Sequence, residues 1–120
     1  MKNTYLQLVQ MISGILAGLL LAVHIGVQRL DVILGFLGIS VSDTLSFNSM
    51  IERAKQISWV TLYIMLLFFA MLHASNGLYK ILVEMNLSRT SLRLSIIFII
   101  LVGLIFFILG AYTPITLFMK

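Results

Sequence analysis

An all-α membrane protein with three transmembrane helices is the fold class this sequence predicts, and three observations predict it. Apolar residues make up 61% of the 120 residues and charged residues only 10%; a soluble domain is nearer half apolar and a quarter charged. The excess is gathered into three stretches, over about residues 12–27, 58–78 and 94–112, where only His24 and His73 can carry charge. Each stretch is long enough to cross about 30 Å of hydrocarbon at a helical rise of 1.5 Å per residue. In lipid the backbone must satisfy its own polar groups, which leaves helix as the form of each span.

The chain reads as a single membrane domain, residues 1–120. Helix one is expected over about residues 7–30, closing at Arg29 and Asp31. Its apolar run is too long for a signal-peptide core and lacks an Ala-x-Ala exit, so it belongs to the mature protein. A linker follows over about residues 31–56, whose apolar first part prolongs helix one or lies at the interface. Serine, aspartate and asparagine in its middle favour a turn. The segment "FNSMIERAKQIS" reads as an amphipathic lead into helix two, with Trp59 and Tyr63 near the water boundary. Helix two is expected over about residues 57–84 and helix three over about 91–113. The loop between them is short, which makes them antiparallel neighbours. Ser88 or Thr90 is placed to cap helix three, and Pro114 to end or kink it.

Composition removes several classes of function. The chain has no cysteine, hence no disulfide, thiolate metal site or cysteine nucleophile. Its net charge of +4 is scattered over the span ends and forms no nucleic-acid-binding face. Lys2, Lys80, Arg89 and Arg93 fall on one side of the membrane, and Arg29, Arg53, Lys55 and Lys120 on the other. The denser cluster, in the loop with Lys80, favours a cytoplasmic N-terminus for a multi-pass protein of the cell (inner) membrane.

Polar side chains within a span are costly and point to function. On helix one, Ser13 and His24 are eleven residues apart, almost three whole turns, and share a face. On helix two, His73, Gly77, Lys80 and Glu84 form another line. A histidine with a glycine one turn away suits a flat ligand that the imidazole coordinates and the bare backbone accommodates. The plainer alternative is a histidine that hydrogen-bonds a neighbouring helix or lines a proton path. Lys80 and Glu84, at i and i+4, also read as an interfacial ion pair. The pair Gly14 and Gly18 reads as ordinary helix packing. By position along their helices the two imidazoles lie about a dozen Å apart in depth, so they do not share one metal. As haem ligands they would serve two stacked haems, and a partner chain, or a second copy of this one, would supply the opposing imidazoles.

The stretch "LHASNGLYKILVE", Leu72 to Glu84, together with "SGILAGLLLAVH", Ser13 to His24, resembles the cytochrome b-type membrane anchor subunits of succinate dehydrogenase and fumarate reductase. The resemblance covers most of residues 7–85, and helix three matches only as an apolar span. It implies a helix bundle completed by a second small anchor chain, docked to a flavoprotein subunit and an iron–sulfur subunit. The anchor would pass electrons between the iron–sulfur subunit and membrane quinone, a non-catalytic part of an oxidoreductase complex. It would hold one or two haems b, shared with the partner chain. The resemblance makes His73 the ligand of the haem nearer the iron–sulfur subunit and His24 that of the distal haem. Ser13, Gly77 and Lys80 would complete the haem surroundings, Lys80 by reaching a propionate. Gln7, Gln10 and Glu84 would be the quinone-binding candidates.

Gln10 and Met11 stand where many members carry a His-Arg pair, and Tyr79 where they carry an arginine. These departures move most of the quinone chemistry toward the partner chain. Two other functions compete with the leading one: a haem-free anchor of the same type of complex, and a small transporter subunit with the histidines on a proton path. The second lacks the intramembrane Asp or Glu that proton paths usually include.

Overall fold

The structure, a computed structural model, describes residues 2–41 and 43–120, with side chains from residue 4 onward. The Lys2 side chain, counted above in the charge balance, lies outside the described residues. Among the described residues five helices follow one another: α1 (Lys2–Gln28), α2 (Leu30–Phe36), α3 (Phe47–Ala54), α4 (Ile57–Glu84) and α5 (Arg89–Met119). Among the described residues there is no strand. Three of the helices, α1, α4 and α5, are long and apolar enough to cross a membrane.

The linker is more structured than a turn. Helix α1 breaks at Arg29 (φ −114°, ψ 22°), and α2 restarts there as a separate short helix. It ends in a left-handed residue, Gly38 (φ 77°), with Gly38 N–H donating to Gly35 O and Ile39 N–H to Leu34 O. That pair of bonds is a Schellman closure, and it needs glycine at the left-handed position. The amphipathic segment forms α3 by itself, started by Ser46, whose side chain accepts from Ser49 N–H. Lys55 and Gln56 then separate α3 from α4.

Ser88 caps α5 by accepting from Ser91 N–H at 3.2 Å, and Thr90 already lies inside the helix. Replacing Ser88 by alanine should destabilise the folded chain by about 1 kcal/mol, seen as a lowered unfolding midpoint in detergent. Pro114 does not end helix three: α5 runs through it to Met119. The ring removes one backbone donor, the one that would reach the carbonyl of Gly110. Leu67 packs on the bare backbone of Gly110 there, its Cδ2 2.7 Å from where a Cβ would stand.

Helix α4 is the centre of the bundle. It packs against α1 on one side and α5 on the other, while α1 and α5 do not touch. α3 crosses one end and touches both α4 and α5. The body is 58 × 34 × 20 Å, two helices thick. Very little is buried. Val60 and Ala111 are the buried apolar residues; Ser13, Thr44 and Asn76 are the buried polar ones. So the most enclosed side chains at the α1–α4 seam are polar, the reverse of a soluble core. Lipid is as apolar as leucine, and helices in it associate through small residues and interhelical hydrogen bonds.

Candidate functional site: a cleft lined by both histidines

The seam between α1 and α4 is antiparallel, as its facing pairs show. Leu6 meets Asn76, Gln10 meets His73 and Gly77, Gly14 meets His73, and His24 meets Tyr63. Gly14 makes the close approach possible. A Cβ at that position would lie 2.7 Å from His73 Cε1 and 2.9 Å from Nδ1. The imidazole therefore rests on bare α1 backbone.

Four polar groups fix it there. His73 Nδ1 lies 3.0 Å from Gln10 O. A carbonyl only accepts, so Nδ1 carries the proton and Nε2 keeps its lone pair. Ser13, itself fully buried, donates its hydroxyl to the same carbonyl at 3.3 Å. Asn76 Nδ2 donates to Leu6 O and to Gln10 Oε1, both at 2.9 Å. That second bond turns the Gln10 amide so that its Nε2 faces His73 Nε2, at the long distance of 3.5 Å. Each such bond between membrane helices contributes on the order of 0.6–2 kcal/mol.

Beside this seam lies a cavity of about 870 Å³, within the roughly 300–1,000 Å³ range of small-molecule and cofactor sites. α4 forms its floor, with α1 and α5 as walls and α3 across one end. Both histidines line it. Its walls carry little side chain where Gly14, Ala17, Gly18, Ala70 and Gly110 face inward. At Gly18 nothing lies within 4 Å of where a Cβ would stand. At the far end His24 meets Tyr63 edge to face, with ring centroids 4.7 Å apart. Gly14 is level with His73 and His24 with Tyr63, ten residues apart on each helix, so the two imidazoles differ in depth by about 15 Å.

The other sequence candidates fall outside the cavity. Ser13 and Gln10 belong to the seam. Over Gly77 the space expected for a ring holds the Gln10 carboxamide, whose Nε2 would be 3.1 Å from a Cβ there. Lys80 is half-buried further down α4, while Gln7 and Glu84 are exposed; none of the three lines the cavity. Two residues read from the sequence only as boundary residues, Tyr63 and Arg53, do line the cavity. Their signal is weak in sequence, because the first is one aromatic among many and the second lies in the linker.

Among the described residues no three His, Cys, Asp or Glu side chains gather as a metal site. A metal ion held here has to bring most of its own ligands, as the iron of a porphyrin does. The apolar slot, the small wall residues and a histidine with Nδ1 committed to a carbonyl fit such a group. Binding an imidazole ring nitrogen to metal while the other nitrogen donates to a carbonyl is the usual arrangement.

The chain is similar to known proteins in two comparisons. The family described as succinate dehydrogenase/fumarate reductase transmembrane subunit matches residues 2–110. The succinate dehydrogenase hydrophobic membrane anchor subunit of Archaeoglobus fulgidus is 34% identical over 79 residues, 66% of this chain. The match spans 60% of the length of that relative. No solved structure matches.

Proposed function

Because the chain belongs to the family of succinate dehydrogenase/fumarate reductase transmembrane subunits, we propose that it is a haem b-bearing membrane anchor that carries electrons between an iron–sulfur subunit and quinone. The observation that carries this reading is His73: it lines an apolar cavity, with its Nδ1 proton engaged by Gln10 O at 3.0 Å. His73 would hold the iron through Nε2, and His24 that of a second haem. Haem, when bound, supplies a one-electron store between donor and quinone.

What the chain itself does is positional. Gln10 O and Ser13 hold the imidazole ring in one tautomer. Gly14 lets α1 approach it, and the small residues on both walls leave a flat space. The Gln10 amide lies 3.5 Å from His73 Nε2, the nitrogen that would hold the iron. His24 and His73, about 15 Å apart in depth, would hold separate haems, and each haem would take a further ligand from outside the chain. The gap between α1 and α5 gives a second small anchor chain a place to deliver it. A flavoprotein and an iron–sulfur subunit complete the proposed complex.

Reduced-minus-oxidised spectra of the purified protein test the reading. His73→Ala should abolish the b-type α-band of the haem nearer the seam, and an unchanged band overturns the ligand assignment. His24→Ala should remove one haem and leave the other. A second reading, a haem-free anchor, is favoured by one observation: both ring nitrogens of His73 already have partners within the chain. It predicts no b-type band in the unaltered protein while flavoprotein still co-purifies.

A further inference from the structure

One oxygen at the α1–α4 seam serves three donors. Gln10 O lies in the ladder of α1, which brings the Gly14 N–H to it. The Ser13 hydroxyl donates to it at 3.3 Å, and the His73 Nδ1–H at 3.0 Å. A carbonyl oxygen has two lone pairs. The helix fixes the ladder bond, so Ser13 and His73 draw on the same remaining capacity. A serine that bonds back to the carbonyl one turn earlier is ordinary in helices. Here that carbonyl also holds an imidazole from another helix. Ser13 is 1% exposed, so its hydroxyl has no water to turn to instead. Neither Ser13 nor Gln10 lines the cavity. They reach His73 through Nδ1, not through the nitrogen assigned to iron.

We propose that Ser13 is a positioning residue that sets the electron-donor strength of His73: by sharing Gln10 O it weakens the hydrogen bond at Nδ1 and so lowers the charge that Nε2 offers. The consequence for iron rests on the haem-ligand reading of His73 given above. An acceptor at Nδ1–H raises the basicity of the other ring nitrogen, because part of the ring's positive character leaves with the proton. A stronger donor favours ferric over ferrous iron, which lowers the midpoint potential. Bonds to a common atom polarise one another, and an oxygen occupied by a second donor pulls less on the first. Ser13 therefore works against the carbonyl and holds the His73 haem at a higher potential than Gln10 O alone would. Among the described residues His24 has no such bond; its ring meets Tyr63 edge to face. The effect is confined to one of the two haems and sets them apart in potential.

The test compares the protein purified in mild detergent with its Ser13→Ala, Ser13→Cys and Ser75→Ala variants. Alanine removes the hydroxyl and little else; cysteine keeps a donor, but a weak one. Ser75 stands on the other side of α4, its Oγ 3.4 Å from where a Gly103 Cβ would stand, and is the control for loss of a seam serine. The first readout is redox potentiometry of the b-type bands. Ser13→Ala should lower one midpoint potential and leave the other. A threefold change in the preference for ferric iron is about 28 mV, at 59 mV per tenfold for one electron, and a shift of that order is expected. Ser13→Cys should fall between. The second readout is the 15N NMR signal of His73 in histidine-labelled protein, identified by its loss in His73→Ala. Ser13→Ala should move the Nδ1–H toward a stronger bond. This readout needs no haem. Absence of a b-type band in the unaltered protein overturns the haem reading, and the NMR shift then decides alone whether Ser13 tunes the imidazole. An unmoved Nδ1–H overturns the proposal, as does a midpoint that rises or stays in place, or an equal response from Ser75→Ala. If Ser13→Ala loses haem or fails to assemble, Ser13→Cys carries the test with the same signs.

Discussion

Gly14→Ala should lower the unfolding midpoint of the chain, while Gly18→Ala, one turn along the same helix, should not. The difference is geometric. At Gly14 the added methyl would stand 2.7 Å from His73 Cε1, and at Gly18 it would meet nothing within 4 Å. The imidazole cannot step aside without breaking its bond to Gln10 O, and α1 cannot retreat without parting Gln10 from Asn76. Overpacking of this kind costs about 1–3 kcal/mol. Gly110 is the instructive contrast: a methyl there would lie 2.7 Å from Leu67 Cδ2, the end of a flexible side chain that rotates away. Gly110→Ala should therefore be the milder change despite an equal clash. Equal midpoints for Gly14→Ala and Gly18→Ala in detergent would show that His73 is not seated on α1.

Asn76→Leu should be the second large effect, destabilising the α1–α4 pair by about 1–3 kcal/mol through the loss of two interhelical bonds. Asn76 is 8% exposed, so its partners in the seam are poorly placed to find water instead. Leucine repeats the branched shape of asparagine and is larger, so the change opens no cavity, and any overpacking adds to the lost hydrogen bonds. The change also frees the Gln10 amide, whose Oε1 is then unpaired. Gln10→Leu made on top of Asn76→Leu should cost less than Gln10→Leu alone, because the two residues form one unit. A double-mutant cycle in bicelles measures this, with a coupling of about 0.5–3 kcal/mol expected for residues in contact. Strict additivity would show that Asn76 and Gln10 act separately.

The three spans were legible from sequence because a lipid-compatible run of that length suits a bilayer and little else. His24 and His73 were legible for the same reason, as the only side chains inside those runs that can carry charge near neutral pH. Depth estimated from span ends, about a dozen Å, and depth from the seam register, about 15 Å, rest on the same helical rise. The rest depended on contacts that periodicity does not carry. That Gln10 would turn its side chain onto His73 follows from Asn76, 66 residues away. Whether Gly14, Gly18 or Gly77 borders the cavity depends on how α1 and α4 are rotated, which no single helix dictates. Pro114 reads as a stop in any one-dimensional scan, yet neighbouring helices tolerate its missing bond. Arg53 reads as one more interfacial cation until the turn at Thr44 folds it over the cavity end.

The seam also bears on how the chain enters the bilayer. Of the three long helices α5 is the most apolar and α4 the least, and α4 brings His73 and Asn76 with it. Leaving water is costly for such groups. Their acceptors, Leu6 O, Gln10 O and Gln10 Oε1, belong to the helix that emerges from the ribosome first. α1 precedes α4 along the chain, so these acceptors are synthesised before the donors that use them. The order of helices along the chain matches the order in which their polar groups need one another.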